Sequence, residues 1–117
     1  MIRFLKRRRA IKQFVMQLPL DLHTRFGGKR HYSVEEVDRA TTEKFNRAFL
    51  AYAHALFCTR GEFDGYYGGL KLASTYDSLR RTVAKRFFGG IMDFDAASLY
   101  AFARKDIDFD PCEPGLV

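Results

Sequence analysis

A chain of 117 residues fits one domain, long enough to bury roughly two thirds of its unfolded surface. A hydrophobic content of 47% with 15% aromatics excludes an extended disordered polypeptide, and two cysteines, Cys58 and Cys112, exclude a disulfide framework. The net charge of +6 is lopsided: residues 1–30 hold nine Lys/Arg and one acid (Asp21), while residues 31–117 hold eleven Lys/Arg and thirteen acids. Such an excess at one end speaks to partners rather than to fold.

The first segment, from about Arg3 to Gln17, reads as an amphipathic helix. At about 100° per residue, Phe4, Ile11, Val15, Leu18 and Leu22 share one stripe, with Phe14 at its edge. Arg3, Lys6, Arg9 and Lys12 point elsewhere, and Arg7 and Arg8 flank the stripe. Pro19 predicts a kink or a restart with itself at the first helical position, and Gly27-Gly28 ends the unit. Ser33 followed by Glu36 is a capping-box pattern that opens a short helix, Val34 to Ala40, with Val34 and Val37 inward. Thr42 is then expected to cap a central core helix from Glu43 to Thr59, carrying Phe45, Phe49, Tyr52 and Leu56 on one face.

Arg60 to Ser74 is rich in glycine and aromatics and reads mainly as a connector, with room for a short helical turn. Tyr76 to Phe88 is an amphipathic helix with Tyr76, Leu79, Val83 and Phe87 inward, Arg81 and Lys85 outward, and Gly89-Gly90 as its stop. Asp93 or Asp95 can cap a last helix running to about Lys105, with Phe94, Leu99 and Phe102 as its apolar contacts. The acidic segment 106–117, with Pro111 and Pro114, is expected to fray as a tail. The expected fold is therefore all-α: one domain over 1–105, a bundle of about five helices with the N-terminal one kinked or broken at Pro19.

No constellation of catalytic or metal-binding residues stands out. His54 and Cys58 are one turn apart, but no second Cys/His pair completes a zinc site. Asp106, Asp108 and Asp110 copy the start of a calcium loop, which then fails at Pro111 and Val117 where glycine and glutamate are required. A helix-turn-helix over Leu79–Phe102 would open its recognition helix with Asp93 and Asp95, against DNA phosphates. No metal and no cofactor is expected. The longest apolar run, Ala48 to Cys58, is 11 residues, too short for a membrane span. Lys12, Gln13 and Gln17 interrupt any secretory core segment, which makes the cytoplasm the expected compartment.

The segments RRRAIKQFVMQLP, YSVEEV, FLAYAHALF and YDSLRRTVAKRFFGG, spread over residues 6–90, resemble a family of small bacterial proteins of unknown function. The resemblance implies a helical bundle in the bacterial cytoplasm and assigns no activity; from Ile91 onward it weakens. The residues themselves point to a non-enzymatic binding or adaptor protein whose cationic N-terminal helix engages an anionic partner, an acidic protein or a membrane surface. Arg3, Lys6, Arg9, Lys12, Arg81 and Lys85 are the candidate contact residues. A sequence-nonspecific nucleic-acid binder is the alternative, and an enzyme with an unrecognised site comes third.

Overall fold

Pro19 has no N–H to give the preceding turn, and the chain responds by closing one helix and opening another around Gln17. In the computed structural model, which describes the backbone of residues 2–68 and 75–108 and the side chains of 5–68 and 75–105, helix α1 spans Ile2–Met16 and α2 spans Leu18–Phe26. Pro19 sits in the first turn of α2, where a missing donor costs nothing. The apolar stripe keeps its phase across the bend, so Ile11, Phe14, Val15, Leu18 and Leu22 are all buried. Phe4 lies outside the described side chains. Gly27, at φ 84°, ends α2.

Ser33 and Glu36 close the predicted capping box on α3, Val34–Ala40. The long helix expected over 43–59 does not form as one piece. The hydroxyls of Thr41 and Thr42 turn back onto the carbonyls of Val37 and Asp38, closing α3 instead of opening the next helix. Asn46 then caps a single 3₁₀ turn, Arg47–Phe49, with its side-chain oxygen accepting from the Ala48 N–H at 3.0 Å. Helix α4, Leu50–Phe57, follows.

The segment read as a connector contains helix α5, Arg60–Tyr67. Its cap is Thr59, whose hydroxyl accepts from the Glu62 N–H, and its anchor is the buried Phe63. The rest of that segment, 69–74, lies outside the described residues. Helix α6, Tyr76–Phe87, begins at a Thr75–Ser78 capping box and ends before Gly89 and Gly90, both at positive φ. Asp95 accepts from the Ser98 N–H at 2.9 Å and opens α7, Ala96–Asp108, which runs three residues past the predicted domain edge. The tail from 109 on, including Cys112, lies outside the described residues.

No strand occurs among the described residues. Helix α1 packs on α2 and α7 and also on α4, which in turn carries α6. Buried Arg80 of α6 ties this arrangement together. Its guanidinium donates to the Ala55 carbonyl at 2.9 Å and to the Phe94 carbonyl, and stacks over the Phe94 ring at 4.0 Å. Along with the Tyr32 N–H on the Phe57 carbonyl and the Tyr76 hydroxyl on the Cys58 carbonyl, it satisfies the C-terminal end of α4.

Candidate anion-binding site

Helices α1 and α6 flank a groove of about 290 Å³ lined by Arg7, Arg8, Ile11, Thr82, Lys85 and Arg86. Helical spacing explains the set. Ile11 faces the core, and Arg7 and Arg8, one turn earlier, border that same stripe. On α6, Val83 is buried, which turns Thr82, Lys85 and Arg86 to its edge. Four cations therefore line one recess, and none of its described lining residues is a carboxylate. The two walls are joined by Arg86, whose Nη1 donates to the Arg8 carbonyl at 2.8 Å while its guanidinium lies over the Phe87 ring. Burial, followed by the charge of Arg8, lowers the Arg86 pKa from its ordinary value. The like charge of Arg8 is thus the smaller of the two effects on Arg86.

A second recess is smaller. It has about 230 Å³ and is lined by His23, Gly28, Lys29, Arg30, Tyr32, Ala97 and Tyr100. Its two cations are already paired, Lys29 with Glu36 at 2.6 Å and Arg30 with Asp95 at 3.6 Å. Its aromatic walls, His23 and Tyr100, are stacked on each other at 4.0 Å.

Along residues 1–108 the sequence matches a family model that takes in both walls of the groove. The chain belongs to that family, a family of unknown function (DUF6559). The match runs past Ile91, where the resemblance had been expected to fade, and covers all of α7. No curated protein and no solved structure matches the chain.

Of the residues singled out from sequence, only Lys85 lines the groove. Lys6, Arg9 and Lys12 are exposed on α1 and Arg81 is exposed on α6; the Arg3 side chain lies outside those described. None of these exposed cations, nor Lys85, has a carboxylate within ion-pair distance among the described residues. Five of the described acids, Glu35, Glu36, Asp38, Asp77 and Asp95, pair instead with Arg39, Lys29, Arg47 and His54, Arg60 and Arg30 respectively. Sequence reasoning placed Arg7 and Arg8 only as flanks of the stripe and did not consider Arg86, because it valued the outermost helix face. The signal for them was their position beside the apolar stripe, where a neighbouring helix must come close.

A polar network that sequence reasoning did not foresee surrounds His54. The ring is fully buried, with Nε2 2.8 Å from Asp38 Oδ1 and Nδ1 2.5 Å from the Tyr67 hydroxyl. A carboxylate only accepts, so Nε2 carries the hydrogen, and neutral Nδ1 accepts from Tyr67. Burial holds the His54 pKa below its ordinary value, against the opposing bond and charge of Asp38. The neighbouring Cys58 thiol is pushed up to about 12 by burial, which makes it a poor nucleophile. Every buried side-chain polar atom among the described residues has a partner, so the network is complete as it stands. Among the described residues no three His, Cys, Asp or Glu side chains gather as metal ligands, and no helix is long and apolar enough to cross a membrane.

Proposed function

We propose that the protein is a non-catalytic binding module that docks an acidic protein partner on the cationic surface of α1 and its groove with α6. The observation that carries this reading is the convergence of Arg7, Arg8, Lys85 and Arg86 on one recess between α1 and α6. Lys6, Arg9 and Lys12 extend the positive surface along the exposed side of α1. Charge complementarity of this kind steers an acidic partner and sets its orientation.

The membrane reading loses support because Ile11, Phe14 and Val15, the residues that would enter a bilayer, are committed to the core. Nucleic acid is disfavoured by the lack of stacking platforms: Tyr66 is the one large exposed aromatic among the described residues, and it packs edge-on against His54. Fluorescence anisotropy with a labelled Glu/Asp-rich peptide tests the proposal. Binding is expected at low salt, weakening roughly tenfold or more as salt rises fourfold. Arg9→Glu with Lys12→Glu should weaken it further. Failure to bind at low salt, or tighter binding of a single-stranded oligonucleotide, overturns the proposal.

A further inference from the structure

We infer that Asp38, His54 and Tyr67 form a pH-sensitive latch, which holds the C-terminal half of α5 onto α4 and opens when His54 takes up a proton. The balance of donors and acceptors dictates this. A neutral imidazole has one donor and one acceptor, and both are used here: Nε2–H on Asp38 Oδ1 at 2.8 Å and Nδ1 under the Tyr67 hydroxyl at 2.5 Å. An imidazolium has two donors and no acceptor. Asp38 keeps its bond, but the Tyr67 O–H then meets an N–H. Turning the hydroxyl to accept leaves its own proton without an acceptor, because it has no other hydrogen-bond partner among the described residues.

Helix α5 is built to respond at one end only. Its first turn is fastened separately: Thr59 caps it, Glu62 accepts from the Val34 N–H at 3.0 Å, and Arg60 pairs with Asp77. Phe63 packs with Ala55 and Leu79 in a small cluster apart from the main core. Past Phe63, Gly65 weakens the helix and the Tyr67 hydroxyl supplies the hydrogen bond to α4. That end can therefore loosen while the main core stays closed.

The groups around the ring set the direction. From α3, Asp38 favours the imidazolium; from the 3₁₀ turn, Arg47, 3.8 Å from the same carboxylate oxygen, opposes it. From α5 come the neutral phenols Tyr66 and Tyr67, and α4 itself adds the neutral Cys58 thiol. From α6, Arg80 and Tyr76 are turned to the Ala55 and Cys58 carbonyls, and α1 meets α4 through its apolar stripe. Burial outweighs Asp38, so the latched ring binds a proton less readily than an opened one. The latch is thus fully closed above the ordinary value of 6.5 and yields as pH falls below it.

Hydrogen exchange on the full chain, corrected for the intrinsic pH dependence of exchange, tests this. Between about pH 7.5 and 5.5 the amides of Asp64 to Tyr67 are expected to lose roughly tenfold in protection relative to those of α6. Tyr67→Phe should show the low protection already at the higher pH and little further change. His54→Gln, whose amide does not titrate, should remove the pH dependence, with circular dichroism confirming the fold of both variants. Equal loss in α5 and α6 would mean global unfolding and overturns the latch. So does parent-like protection in Tyr67→Phe at the higher pH, or a pH response that persists in His54→Gln.

Discussion

At His54 the interior has chosen a protonation state, and that choice makes stability depend on pH. The unfolded chain takes up a proton there as pH falls through the ordinary value of 6.5, whereas burial keeps the folded ring neutral. Protons therefore favour the unfolded form, and this contribution to stability is full above that value and declines below it, until the folded ring also titrates. The urea midpoint is expected to fall as pH is lowered from about 7.5 to about 5.5. In His54→Gln it should start lower and change less over the same interval, and an unchanged slope would refute the account. Arg80 makes a different residue-scale case. Arg80→Met keeps the bulk and removes the fork, stranding the Ala55 and Phe94 carbonyls in the interior. The expected cost is about 3 kcal/mol by urea denaturation. Arg80→Lys should recover only part of it, because one ammonium cannot span both carbonyls. Neither residue was legible from sequence as a structural tie. Arg80 stands next to Arg81 in the chain, yet one is buried and the other exposed, and only the approach of α4 separates them.

Helices whose ends are written in adjacent residues were readable, and those whose ends depend on competition were not. The Ser33–Glu36 box, the glycines at 89 and 90 and the α1 stripe are local signals, and each appears where expected. Thr41, Thr42 and Asn46 carry equally local chemistry, but two outcomes were open to them. Threonine hydroxyls can close the helix behind them or open the one ahead, and here they close α3. Helix α5 is longer than the short turn allowed within the connector, because a reading by composition gave weight to Gly61 and Gly65 and none to the Thr59–Glu62 cap. That balance yields a prediction. Each glycine costs about 1 kcal/mol against alanine, so α5 leans on its cap and on Phe63. Thr59→Ala should cost about 1 kcal/mol. By hydrogen exchange it should lower protection of the Phe63–Tyr67 amides and leave α6 unchanged; equal loss in both helices would count against a local role for the cap.

Across the whole molecule, charge and packing pull in opposite directions at α1. Its apolar side is spent on the core, through Ile11, Phe14 and Val15, and this holds the flanking Arg7 and Arg8 close to Lys85 and Arg86 on α6. The sequence showed the excess of positive charge in residues 1–30 but not its focus, because the second wall of the groove lies about 75 residues further along the chain. At the groove the charge of Arg8 disfavours that of Arg86, a repulsion that salt can screen. The melting temperature of the parent protein should therefore rise as sodium chloride increases from about 20 to 300 mM, within the range where screening lengths shrink to the size of the groove. Lys85→Gln should melt higher than the parent at low salt and respond less to added salt, while losing affinity for the acidic peptide. A variant that gains stability as it loses binding marks these cations as kept for a ligand. A parent that is indifferent to salt, or a variant that melts lower, would mean that the groove carries no stored repulsion.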